Sequence, residues 1–269
     1  MSAVTAAEPP ALRVAGLNKS FGGVRVLQDF GLVIPARSQS CVAILGQNGA
    51  GKTTLLNLIT RLVPADAGTI EVFGHNVLAG GARHLAGYGV ARTFQSPRLL
   101  LDESCLSNVA LGAQSLRRGR DGTQGSRAAA LRRAAAALER VGLAAQAGRV
   151  TGTLPFGSRK LVELARALAL QPRLLLLDEP AAGLSDLEER RLADVLTLLT
   201  DAGITLLLIE HRMALVAATA RRVVMMDGGA IVFDGDAAAA VASPLVRERY
   251  LGAGFDQVKP AEPGGSERQ

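Results

Sequence analysis

Residues 41–54 read CVAILGQNGAGKTT, an apolar run that closes at Gly46 and a glycine-rich loop that leads into Lys52, Thr53 and Thr54. The spacing is Gly46, four residues, Gly51, Lys52, Thr53. Glycines let the backbone curl until successive N–H groups converge on an anion, and a helix that starts near Gly51 points its positive dipole end at the same spot. Gly46, Gln47, Asn48, Gly49, Ala50, Gly51, Lys52, Thr53 and Thr54 are therefore the candidate nucleotide-binding set. In this pattern Lys52 reaches the β- and γ-phosphates and the Thr53 hydroxyl holds Mg²⁺. Val42 to Leu45 supplies the buried strand that the loop needs before it.

Such a loop leaves the kind of protein open, since kinases, GTPases, recombinases and transport ATPases all carry one. The segments further along the chain narrow it. Leu174 to Leu177 is an apolar strand that ends in Asp178 and Glu179. The first carboxylate can hold the hydration shell of Mg²⁺, and the second can orient and deprotonate an attacking water. Gly89 to Phe94 reads as a strand with Gln95 at its end, an amide able to contact the metal or the attacking water. Ile204 to Ile209 is a strand that ends in Glu210 and His211, and His211 is a candidate phosphate contact. In LPFGSRKLVELARALAL, Gly157 and Ser158 precede an amphipathic helix with Leu161, Leu164, Ala165 and Leu168 inward, a second potential anion site.

On the other side of the loop, LRVAGL from Leu12 and the alternating segments around Gly22 and Gly23 predict a small antiparallel sheet. Phe21, just before that turn, is either core or a platform for a nucleotide base. Thr54 to Leu62 continues as a helix ended by Pro64, and Gly68 to Gly74 is a short strand. His75 and His84 have no partner at metal-ligand spacing and read as surface residues. From Leu99 to Leu154 helical periodicity, a Gly/Arg/Ser-rich gap and an Ala-rich helix suggest a helical lobe, about residues 97–170, inserted into the sheet domain. Asp186 to Thr200 is a helix, Arg222 to Asp227 and Ala230 to Phe233 are strands, and helices run on through Tyr250. Residues 1–10 and 256–269 read as a disordered leader and tail around a domain at 11–255.

With 269 residues, 48% of them hydrophobic, the chain can bury a full core. Its formal charge is +6. The arginines concentrated from Arg117 to Arg149 alternate with Ala and Leu and lack stacking aromatics, so they read as a solvated helical face rather than a nucleic-acid surface. No apolar run approaches the roughly 20 residues that span a bilayer. MSAVTAAEPP has neither the basic nor the apolar region of a signal peptide, and Cys41 and Cys105 stand apart with no metal-ligand spacing. These features point to the cytoplasm, with no disulfide expected.

The order of these segments resembles that of the ATP-binding-cassette (ABC) ATPases over about Leu12 to Leu251. On that resemblance Phe21 falls on the aromatic that stacks on adenine, Gln95 on the glutamine loop, and Leu154, Pro155, Phe156, Gly157 and Ser158 on the signature motif that meets the partner's ATP. Asp178 and Glu179 fall on the second nucleotide motif with its catalytic glutamate, Ala182 to Ser185 on the loop after it, and His211 on the switch histidine. The segments GVARTFQ, LPFGSRKLVELARALA, LDEPAAGLS, IEHRM and RERYLG look like the ATPases of branched-chain amino acid importers. Related urea and amide importers share them, and lipopolysaccharide-export ATPases have a similar C-terminal stretch. Two departures stand out: LPFGS replaces the general LSGGQ, so that Pro155 offers neither hydroxyl nor N–H, and Ser185 replaces an Asp.

The resemblance implies a P-loop α/β fold with an N-terminal antiparallel subdomain and an inserted helical subdomain. It implies ATP and Mg²⁺ as cofactors and hydrolysis by Glu179, with Lys52, Gln95 and His211. Metal contacts fall to Thr53, Gln95 and, through water, Asp178. The partners expected are a second cassette, separate transmembrane permease subunits and a solute-binding protein, with no nucleic acid, and the chain itself is expected on the cytoplasmic side of the membrane, attached through the permease. The alternatives are the export ATPase, a soluble cassette acting on nucleic acid or the ribosome, and a regulatory cassette that does not hydrolyse ATP.

Overall fold

In the computed structural model, residues 8–36, 41–79, 84–115 and 126–246 are described. Most of the leader, the tail, the Gly/Arg/Ser-rich gap and the segment RERYLG lie outside them.

The N-terminal hairpin pairs β1 (Leu12–Phe21) with β2 (Val24–Ile34), turning at Gly22 and Gly23, and β4 (Ala67–Val72) and the two-residue β5 (His75–Asn76) complete a four-stranded sheet in the order β2-β1-β4-β5. Residues of β1 alternate, with Leu12 and Val14 buried and Arg13 exposed, as expected of a strand with one dry face. The second sheet runs β10-β9-β3-β8-β7-β6, built from β3 (Cys41–Leu45), β6 (Val90–Arg92), β7 (Leu174–Asp178), β8 (Thr205–Ile209), β9 (Arg222–Asp227) and β10 (Ala230–Asp236). All its neighbours are parallel except the terminal hairpin β9–β10.

The runs CVAIL, LLLLD and TLLLI are continuous because β3, β7 and β8 are buried at every position. Their two faces feed different cores. Val42, Ile44, Leu174, Leu176, Leu207 and Ile209 pack with the N-terminal sheet and with helix α1 (Lys52–Ile59). Cys41, Ala43, Leu45, Leu175, Leu177, Leu206 and Leu208 pack on the other side, against helices. Burial there pushes the Cys41 thiol up to about 12, which keeps it protonated.

Those helices are α2 (Cys105–Ser115), α3 (Arg127–Arg140) and α4 (Phe156–Leu168), which intervene between the adjacent strands β6 and β7, and α5 (Asp186–Asp201), which follows β7. The apolar faces of α2 to α4 share one continuous core with the sheet. Helix α6 (Met213–Thr219) and α7 (Ala237–Ala242) close the same side.

Three local expectations shift. Helix α1 stops at Ile59, ahead of Pro64, because Arg61 adopts a φ of 59° and the Leu62 and Arg61 N–H groups close back on Asn57 O (2.8 Å) and Leu58 O (3.1 Å), a Schellman ending. Strand β6 is shorter than Gly89 to Phe94, since Gly89 takes a φ of 83° before it. Leu161 is only half-buried, whereas the inner face of α4 includes the charged Lys160 and Glu163.

Candidate active site

The sheet order sets the site. Placing β3, β8, β7 and β6 side by side, all parallel, gathers the loops beyond their C-terminal ends at one edge, where α/β sheets bind ligands. The phosphate loop comes after β3, Glu179 after β7, Glu210 and His211 after β8, and Gln95 lies shortly beyond β6.

The loop's shape requires its glycines. Gly51, the N-cap of α1, has a φ of 97°, and a Cβ there would lie 2.9 Å from Leu27 Cδ2 and from Val26 O of the hairpin. At Gly46 a Cβ would stand 2.3 Å from Met226 O. Gln47, Asn48 and Gly49 are exposed, Ala50 is buried and Thr54 is half-buried. The first turn of α1 has no acidic side chain, so its amino end keeps its positive polarity. The set therefore fits a polyphosphate: the amino end of α1 starts at Gly51, and Lys52 comes directly after it. Lys52 is 6% exposed, and its Nζ donates to Gly46 O at 2.6 Å and Gln47 O at 2.9 Å. Burial lowers its pKa, while the nearby Glu179 and Asp178 carboxylates oppose that shift.

Glu179 stands between two partners. Gln95 Nε2 donates to Glu179 Oε2 at 2.6 Å, and His211 Nε2 lies 2.7 Å from Glu179 Oε1. The backbone of Glu179 is held at a φ of 47°. Glu210 does different work: 1% exposed, its carboxylate accepts the N–H groups of Ala181 and His211, each at 2.7 Å, and so pins the turn after β7 to the end of β8.

Asp178 is tied to a residue that inspection of the motifs did not single out. Arg92, on β6, donates through Nη2 to Asp178 Oδ2 at 2.8 Å, and through Nη1 to Asn57 Oδ1 at 2.7 Å and Thr60 Oγ1 at 3.0 Å. Both side chains of the pair are under 8% exposed. The signal in the sequence was an arginine inside a short apolar strand, which demands a buried anion somewhere.

Phe21, left open between core and platform, is 45% exposed at the hairpin tip, with Lys19 Nζ 5.1 Å from its ring centroid. The signature segment lies against a different part of the fold. Leu154 is buried in the core, Pro155 is the N-cap of α4, Phe156 is 40% exposed and Ser158 is half-buried. Phe156 approaches Gly183, where a Cβ would stand 3.0 Å from its ring. The backbone N–H of Gly157 donates to the Glu188 carboxylate. Ser185, the other departure, is the N-cap of α5 in a capping box, its N–H and Oγ bonded to Glu188 Oε2 at 2.9 and 2.8 Å. Those Ser185 bonds, the backbone one first, hold the Glu188 carboxyl below the usual carboxylate range. His75 stacks on Tyr88 at 4.5 Å, away from these groups in role.

A phosphate loop on β3, carboxylates at the end of β7, and an amide and an imidazole on the flanking strands define a P-loop nucleotide-binding ATPase of mixed α/β architecture. The family description "ABC transporter" matches residues 32–182. The chain is 34% identical over 252 residues to the high-affinity branched-chain amino acid transport ATP-binding protein LivG of Salmonella typhimurium, covering 90% of this chain and 98% of that protein. It is 35% identical over 253 residues to BraF of Pseudomonas aeruginosa, a protein of the same description, with the same coverage. Among solved structures, the ADP conformation of an ATP-binding cassette of an ABC transporter superposes with a TM-score of 0.78 at 29% identity, covering 90% of this chain and 99% of that one. The chain belongs to the ABC transporter family, as its ATP-binding, ATP-hydrolysing subunit.

Proposed function

We propose that the chain powers the import of amino acids, with branched-chain amino acids as the first candidates. The observation that carries the chemistry is the Glu179 carboxylate between Gln95 and His211 beside Lys52. The solute is supported by the amino-acid importers to which the chain is similar over 84% to 90% of its length, which favours this reading over lipopolysaccharide export or work on nucleic acid.

In this reading the adenine stacks on Phe21, exposed for the purpose, and the phosphates lie over the amino end of α1. Lys52 exchanges its bonds to Gly46 O and Gln47 O for phosphate oxygens. Glu179 takes the proton of the attacking water, while Gln95 and His211, each already on one of its oxygens, orient the carboxylate and meet the γ-phosphate as it leaves. Mg²⁺, held by Thr53, by Gln95 and through water by Asp178, would neutralise charge between the phosphates. Thr53 is exposed and Arg92 occupies only one oxygen of Asp178, so these groups fit the ion. Among the described residues no group of three or more His, Cys, Asp or Glu is placed to hold a metal, so most of its ligands would be phosphate and water oxygens.

Two cassettes would face head to tail, each ATP lying between one phosphate loop and the other's signature helix. For Gly157 N–H to reach the partner's γ-phosphate, the Glu188 carboxylate must give way, and the two anions compete for one helix end. Among the described residues no helix is long and apolar enough to cross a membrane. In this reading the chain sits at the cytoplasmic face, attached to separate transmembrane permease subunits that a solute-binding protein supplies.

The deciding experiment is reconstitution of the native complex in liposomes, with ATP hydrolysis and solute uptake measured for leucine, isoleucine, valine, glutamate and urea. The expected result is hydrolysis stimulated by branched-chain amino acids. Stimulation by urea alone, or by none of them, would overturn the solute assignment.

A further inference from the structure

Lys160 lies on the buried face of α4, two residues past the signature, and is 7% exposed. An ammonium taken out of water needs partners. Its Nζ donates to Gln95 O and to Glu179 O, 3.2 Å each. Desolvation lowers its pKa, and the surrounding Glu210, Glu163 and Glu179 carboxylates oppose that and favour the charged form.

Those two carbonyls belong to the two residues whose side chains already meet at 2.6 Å. A single ammonium from the signature helix thus ties together both main chains behind the site. Glu179 needs such restraint. Its φ of 47° is a left-handed conformation that residues with a Cβ avoid, and it persists only where the surroundings over-determine it. Here three bonds do so: Glu179 N–H to Ile209 O at 2.9 Å, Ala182 N–H to Glu179 O at 3.1 Å, and the bond from Lys160. Of the three, only that from Lys160 comes from α4.

We propose that Lys160 is a positioning residue for hydrolysis, clamping the main chains of Gln95 and Glu179 so that the Glu179 carboxylate is aimed only while α4 stands in place. The inference rests on Glu179 acting as the base. It makes hydrolysis depend on the position of the signature helix through a contact inside one subunit, besides any contact across a dimer.

The test compares full-length wild type with Lys160→Met, Lys160→Gln and Lys160→Arg, with Glu179→Gln as reference. Lys160→Met should lose about 10- to 100-fold in kcat, the range for a misplaced catalytic group, with KM for ATP within about twofold because Lys52 and the loop are untouched. Like Glu179→Gln, it should accumulate an ATP-bound dimer on size exclusion. Lys160→Arg, which keeps the charge and N–H donors, should recover most of the rate. If Lys160→Met does not fold, Lys160→Gln carries the same expectation. A folded Met or Gln variant with wild-type kcat overturns the clamp, as does a parallel loss of ATP affinity or an Arg variant no better than Met. If wild type hydrolyses ATP and Glu179→Gln is equally active, the assignment of the base has failed instead.

Discussion

Replacing Arg92 by Met tests whether the buried pair on β6 and β7 is a structural part of the metal-side wall. Both partners are under 8% exposed, and the guanidinium also holds Asn57 and Thr60 of the α1 turn. Removing the guanidinium leaves the buried Asp178 carboxylate with only the charge of Lys52 nearby, which destabilises by up to about 3–5 kcal/mol. In a chain of this size about 2–4 °C of melting temperature accompanies each kcal/mol, so Tm should fall by up to roughly 6–20 °C. The assay is thermal and urea unfolding of wild type, Arg92→Met, Asp178→Asn and the double variant. With both charges gone nothing is stranded, so the double variant should be less destabilised than the sum of the singles by about 1–3 kcal/mol. An Arg92→Met protein within about 2 °C of wild type, or single effects that add within about 0.5 kcal/mol, would refute the argument that this ion pair is tightly coupled.

Glu179→Gln keeps the side-chain shape but removes its basicity, so ATP should bind while hydrolysis falls at least about 100-fold; a monomeric variant that turns over ATP normally would count against it. At Gly157 a Cβ would already stand 2.3 Å from Glu188 Oε1, and Gly157→Asp adds a second carboxylate at the helix end, so it should block ATP-driven dimerisation while binding of a fluorescent ATP analogue to the chain's own loop stays within about threefold of wild type. Pro155→Ser, at the N-cap of α4, should be far milder in the same two measurements. Arg222 bonds Asp234 at 2.6 and 2.7 Å and holds its carboxyl below the usual range. The folded pKa is thus lower than the unfolded value of about 3.9, so this stabilisation is complete above that value and lost as pH falls through the folded one. Asp234→Asn should flatten the drop in Tm below about pH 4, and an unchanged acid limb would exclude the pair as its source.

The sequence by itself determined whatever depends on local spacing. The phosphate loop is legible because Gly46 and Gly51 must stand where a Cβ would collide with Met226 O or Val26 O, and Lys52 must come directly after. The central strands are legible because burial on both faces leaves room only for apolar runs such as LLLL. The capping box of Ser185 and Glu188 was not read from the sequence, where Ser185 stood out only as a departure from an Asp. Tertiary structure alone decided the pairings. Arg92 meets Asp178 because β6 and β7 are neighbours, across 86 residues of chain. Lys160 meets Gln95 and Glu179 because α4 packs behind them, and it had read only as one position of an amphipathic helix. The choice of partner for a buried charge is made by strand order and helix docking, which bring distant residues within 3 Å or so without leaving any periodicity along the chain. The exposure of Phe21 was settled in the same way, by where the hairpin tip lies relative to the core, which alternation along a strand does not encode.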